Sequence, residues 1–145
     1  MARYITSVPT PLSPAAAFAY MSDVTHFVDW DPGTKRAVRV AGDGPGVGAA
    51  YDLTVEAGTT TVMRYEVKAY EPPRRLLLLA RTTFLSSEDE VRVEPSASGA
   101  RVTYDARLTL NGPLGLFDPL LGLALRRIGD RAAAGLRRVL RGSAG

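Results

Sequence analysis

His26 and Trp30 are the only histidine and tryptophan in the chain, and both fall in HFVDWDPG together with Asp29 and Asp31. An imidazole beside a carboxylate can relay a proton near neutral pH, because histidine titrates there. His26 paired with Asp29 or Asp31 is therefore one chemical reading of the segment. The other is a structural corner. Asp31-Pro32-Gly33 is a turn tripeptide, with Trp30 as a plug packed beneath it. No serine or cysteine nucleophile is identifiably placed beside His26, so we read the segment as a corner next to a ligand mouth.

A second set of reactive groups emerges from strand parity. Tyr51, Tyr65, Ser87, Asp89, Tyr104 and Arg36 all fall on the predicted inward positions of alternating strands. Phenols, a carboxylate and a guanidinium converging in an apolar interior could polarise carbonyls and move protons. A buried carboxylate without a partner is costly. Asp89 thus needs a hydrogen bond, a cation or a wet cavity, unless its register turns it outward. Gly44, Gly46 and Ala49 have the spacing of a dinucleotide fingerprint, but such a fingerprint must open a helix. The residues that follow alternate as a strand, so GDGPGVGAA reads as a loop or a flap.

These side chains must be carried by elements that the pattern also predicts. RYITSVP (3–9) reads as a strand ended by the prolines at 9, 11 and 14. Ser13-Pro14 is a helix start for residues 15–22, and 24–28 add a further turn. Period two then takes over. Arg36, Val38 and Val40 alternate with Ala37, Arg39 and Ala41, and Tyr51, Leu53 and Val55 share one face. Met63, Tyr65, Val67 and Ala69 oppose Arg64, Glu66, Lys68 and Tyr70. RRLLLLART has no polar side, so its strand is central or covered. Leu85 to Val93 and Val102 to Leu110 complete the alternation. After NGPLG the period becomes 3.6: Asp118 caps and Pro119 opens a helix to about Arg141, ~35 Å long. Leu121, Leu125, Ile128, Ala132, Leu136 and Val139 form its apolar stripe, and the GSAG tail is expected to fray.

The 145 residues are expected to form one domain, 1–145, with a core of its own. With no cysteine and one histidine, neither a disulfide framework nor a structural zinc site is expected, and we expect no metal or cofactor. The start lacks an apolar run of signal-peptide type, and nothing approaches 18 uninterrupted apolar residues. A soluble, cytoplasmic protein is the expectation. The net charge is +3, but residues 117–141 carry six arginines against two aspartates and the rest of the chain nets −1. The basicity belongs to one helix face. That face has no interleaved aromatics, which argues against nucleic acid and leaves a solvated surface or peripheral membrane contact.

One strand, two short helices, six strands and a long helix describe an α+β domain, a curved antiparallel sheet gripping its C-terminal helix. The order of SPAAAFAYMSD, FVDWDPG, GPGVGAAYDL, RYEVKAYEPPRRLLL and GARVTYDARLTL, before an arginine-bearing helix, resembles the START-like helix-grip (SRPBCC) superfamily. It looks most like the polyketide cyclase/dehydrase and lipid-transport branch. The resemblance spans nearly the whole chain and rests on motifs that specify fold rather than chemistry. It implies a seven-stranded sheet and a deep apolar cavity between sheet and helix that takes a hydrophobic small molecule, whether polyketide, lipid or aromatic.

The candidates lining that cavity are Arg36, Tyr51, Tyr65, Ser87, Asp89, Tyr104, Trp30, Leu125 and Gly129. Gly122 and Gly129 lie near the apolar side of a helix where glycine costs about 1 kcal/mol against alanine. Either close packing or room for a ligand compensates. Two functions fit: a polyketide aromatase/cyclase performing aldol closure and dehydration, or a non-catalytic carrier of a lipid or quinone-like molecule that meets membranes through the arginine face. A third reading, a protein-interaction module, would use Leu77 and Leu79. The resemblance is compatible with a monomer or a homodimer.

Overall fold

A computed structural model describes residues 2–57 and 59–142, with side chains at all of these except 57, 59, 115–119 and 142. Its strands are β1 (Ala2–Thr10), β2 (Thr34–Ala41), β3 (Ala50–Ala57), β4 (Thr59–Glu71), β5 (Arg75–Arg81), β6 (Leu85–Ser96) and β7 (Gly99–Leu110). They pair antiparallel in one sheet, in the order β1-β7-β6-β5-β4-β3-β2. Between β1 and β2 lie α1 (Pro14–Ser22), a 3-10 turn (Val24–His26) and α2 (Phe27–Trp30). After β7 a second 3-10 turn (Gly112–Phe117) leads into α3 (Asp118–Gly142). The capping role expected of Asp118 and the tail at 143–145 lie outside the described residues.

Local chemistry accounts for the boundaries. The Ala16 N–H donates to Ser13 Oγ (3.1 Å) and Pro14 opens α1 without forfeiting a hydrogen bond. At the corner, Gly33 N–H donates to Asp31 Oδ1 (3.0 Å) and the Thr34 hydroxyl to Asp31 Oδ2 (2.9 Å), so one carboxylate closes the turn. β5 is the fourth of seven strands, which is why RRLLLLART has no polar side. Leu76 and Leu78 are fully buried inside, while half-buried Leu77 and Leu79 lie outside, opposite Glu90 and Glu88.

Two bulges overturn part of the alternation. A register shift between Thr34 and Arg36 makes Thr34 pair with Val55 but Arg36 with Thr54. Thr34 stays buried and Arg36 is turned out to solvent; Ala37 and Arg39, opposite Leu53 and Tyr51, take the inner face. A second shift between Val67 and Ala69 places Tyr70 opposite the inward Leu76. Tyr70 therefore packs on the core, 5.5 Å from the Phe18 ring, where simple alternation puts it outside.

α3 packs over β1 and α2. Its buried seam runs through Leu125, Gly129, Ala132, Ala133, Leu136 and Leu140, rotated from the predicted stripe, and Ile128 is exposed. Glycine sets the rotation. A Cβ at Gly129 would lie 2.5 Å from the Tyr4 ring, and one at Gly135 would overlap the Trp30 carbonyl oxygen. The helix descends onto β1 and α2 along these two residues. The Thr10 hydroxyl then donates to the Leu140 carbonyl (2.8 Å), satisfying an acceptor near the helix end.

Candidate functional site

Four of the predicted inward polar side chains form one hydrogen-bonded chain. Tyr65 OH donates to Ser87 Oγ (2.9 Å), Ser87 Oγ to Asp89 Oδ1 (3.2 Å) and Tyr104 OH to Asp89 Oδ2 (2.6 Å). Strand geometry brings them together. Ser87 and Asp89 are two apart on β6 and so share a face, Ala80 opposite Ser87 also pairs with Tyr65, and Val91 pairs with Tyr104. The partner that Asp89 required is thus supplied by two hydroxyls.

Burial pushes the Asp89 carboxyl up to about 6, against the pull of the Tyr104 and Ser87 hydrogen bonds. Burial likewise holds the Tyr65 and Tyr104 phenols well above the usual tyrosine range, so both remain donors. Asp31, which strand reasoning missed, accepts from Gly33 and Thr34 rather than from this hydrogen-bonded chain, but its charge reaches the chain. Its charge adds to the upward shifts of Asp89, Tyr65 and Tyr104, and burial raises its own carboxyl despite the Thr34 and Gly33 hydrogen bonds. It is hidden in sequence because a turn aspartate is expected to face its own backbone.

Aromatic rings wall this group. Trp30 lies 4.7 Å from Phe27 and stands edge-on to Tyr104 at 5.2 Å. Its indole N–H is buried with no hydrogen-bond partner among the described residues, and the close backbone approach of Gly135 fixes the residue in place. Tyr51 is buried opposite Tyr65, and burial raises its phenol above the usual tyrosine range.

The interior grades from closed to open along β6. Val91 and Val93 are sealed, Ser87 and Asp89 are buried, and Leu85 is half-buried opposite half-buried Leu110. Near that open end Phe84, Leu120 and Leu123 are exposed. The hydroxyl and carboxyl groups thus lie on the inner face between a sealed apolar stretch and a half-buried one.

The structure disposes of the other expectations unevenly. Trp30 plugs the corner, and Leu125 is buried on α3. Arg36 stands outside, displaced by its bulge. At Gly129 the Tyr4 ring occupies the space that was open to a ligand, so close packing is its explanation; at Gly122 a Cβ would meet nothing within 4 Å. His26 pairs with neither Asp29 nor Asp31. Its Nδ1 lies 2.8 Å from Tyr20 O, its Nε2 3.6 Å from Asp23 Oδ2, and its ring stacks on Tyr20. Asp29 instead accepts from Tyr20 OH (3.1 Å). No group of three or more potential metal ligands occurs among the described residues.

Residues 1–141 match the family described as polyketide cyclase/dehydrase and lipid transport. The chain belongs to that family. No protein of curated function matches the sequence. A START superfamily protein from Mycobacterium smegmatis is similar in structure, with a TM-score of 0.77 at 16% identity over 95% of this chain and 96% of its own. A protein from Thermus thermophilus gives 0.78 at 15% identity over 99% of both chains. The di-domain ARO/CYC StfQ from the steffimycin biosynthetic pathway gives 0.73 at 14% identity over 97% of this chain and 49% of its own, so this cyclase/dehydrase-family chain spans about half of StfQ. At such identities the likeness carries the fold, which is the START-like helix-grip.

Proposed function

We propose that this chain binds a hydrophobic, ketone-bearing small molecule in the sheet interior and closes it to a ring by aldol condensation and dehydration. The observation that carries the reading is the Tyr65–Ser87–Asp89–Tyr104 chain: a buried carboxyl titrating near neutral pH between two permanently protonated phenols.

The Asp89 carboxylate takes a proton from a carbon next to a carbonyl, which in diacetylacetone is the terminal CH3, leaving an enolate. Protonated Asp89 then demands less of its donors, and the Tyr104 hydroxyl turns to the developing oxyanion. The enolate carbon attacks a remote carbonyl of the same chain, and the alkoxide so formed recovers the proton from Asp89. Loss of one water and enolisation complete the ring. The apolar wall of Phe27, Trp30 and Leu78 holds the chain folded for that approach.

Diacetylacetone, a linear triketone that yields orcinol with loss of one water, is a sufficient probe. Orcinol formation should rise as pH passes through about 6. Asp89→Asn should lower the rate by about a hundredfold or more while leaving the Trp30 emission of the folded protein intact. A variant as active as the wild type, or a rate indifferent to pH between 5 and 8, would refute the assignment. Binding of the triketone without turnover would instead favour the carrier reading.

A further inference from the structure

We propose that the open end of the molecule docks on an anionic lipid bilayer. Phe84, Leu120 and Leu123 are 63–64% exposed, large apolar side chains open to water. They belong to one end of the fold. Asn111 donates through its backbone N–H to Phe84 O (2.8 Å) and through Nδ2 to Thr82 O (3.1 Å), and seven residues later the chain enters α3 with Leu120 and Leu123 in its first turns.

The charge beside these residues points to the occupant. Beyond Leu123 the exposed side of α3 continues with Arg126, Arg127 and Arg131, none of which holds a carboxylate within ion-pair distance among the described residues. On the outer face of the sheet Arg3, Arg64, Arg75, Arg92 and Arg107 each hold an aspartate or glutamate, and Arg36, Arg81 and Arg101 stand singly, without the exposed leucines that precede the arginines of α3. A leucine pair followed along one helix by unpaired arginines complements a bilayer surface. The apolar turns enter the acyl boundary while the guanidinium groups reach phosphate oxygens. A nucleic acid would meet the arginines but leave the leucines and Phe84 in water. Docking there turns the half-buried pair Leu85 and Leu110 toward the lipid.

Co-sedimentation of the full chain with phosphatidylcholine vesicles and with mixed phosphatidylcholine/phosphatidylglycerol vesicles tests this. Binding is expected to the mixed vesicles alone and to weaken with added salt. The triple variant Phe84→Ser, Leu120→Ser, Leu123→Ser should bind at least tenfold more weakly, and Arg127→Gln with Arg131→Gln severalfold more weakly, with the circular dichroism of both unchanged. No binding to the mixed vesicles, undiminished binding of the serine variant, or tighter binding to a single-stranded oligonucleotide of equal charge would overturn the proposal. The assay needs no turnover, so loss of the cyclisation reading leaves it standing, and the reverse also holds.

Discussion

At the residue scale, the chain uses buried aspartates in two opposite ways. Asp89 lies inside, held by neutral hydroxyls, and its carboxyl is raised to about 6. Asp105 lies on the outer face with its carboxylate covered by Arg3 (2.8 Å) and Arg107 (3.2 Å), and the Arg3 hydrogen bonds hold it below the usual range. The signs of their pH dependence therefore differ. Native Asp89 keeps a proton that an unfolded aspartate, with a pKa of about 3.9, has already lost. The wild type should lose about 3 kcal/mol relative to Asp89→Asn as pH rises from 4 to 7, and nothing further above that. For Asp105, stability is fully present above about 3.9 and is lost as pH falls through the depressed native value. Asp105→Asn should cost about 2 kcal/mol at pH 7, and less as pH falls below about 3.9. Urea titrations of the three proteins across pH check both statements.

At the element scale, α3 is positioned by the side chains it lacks. Gly129 admits the Tyr4 ring and Gly135 the Trp30 carbonyl, whereas Gly122 faces open space. Alanine improves helix propensity by about 1 kcal/mol wherever it fits. Gly122→Ala should accordingly raise the melting temperature, while Gly129→Ala and Gly135→Ala should lower it, at a cost of about 2 kcal/mol each from forced displacement. Three single variants and thermal unfolding suffice. If all three shifted alike, propensity rather than packing would govern the helix. The bulges work on the sheet as the glycines do on the helix. One extra residue at Lys35 and one at Lys68 turn Arg36 out and Tyr70 in, so the inner face gains a tyrosine on β4 and meets Arg39 rather than Arg36 on β2.

At the scale of the whole molecule, the helix and the sheet divide the work. α3 covers β1 and α2, while β4, β6 and β7 carry the hydroxyl and carboxyl groups of the inner face. A ligand seated there stabilises the fold by mass action. A bicyclic aromatic ketone at a hundred times its Kd should add about 2.7 kcal/mol to the unfolding free energy, and Trp30, which adjoins Tyr104, should change emission in the same titration. A thermal shift without any change at Trp30 would place the ligand elsewhere.

How much of this was legible in the sequence differs from one element to the next. On β6 and β7 the alternation is unbroken, and Ser87, Asp89 and Tyr104 face inward as their parity requires. Ser13-Pro14, the Asp31 turn and the apolar RRLLLLART strand announce their places by local chemistry that operates wherever those residues stand. Arg36 and Tyr70 could not be assigned so, because a bulge arises from the pairing of two strands and leaves no mark on the period of either. Nor could the seam of α3 be read from its apolar residues alone. Gly129 offers no side chain to a hydrophobic pattern, and it becomes a contact only once Tyr4, 125 residues away, is laid against it. His26 shows the same limit: its spacing allows Asp29 or Asp31, but the 3-10 turn at 24–26 presents it to Asp23 and Tyr20. Sequence by itself determined the elements and the inward groups, because periodicity and turn chemistry are local. Tertiary structure alone decided which of those groups meet, because that depends on register and on close approach between distant backbones.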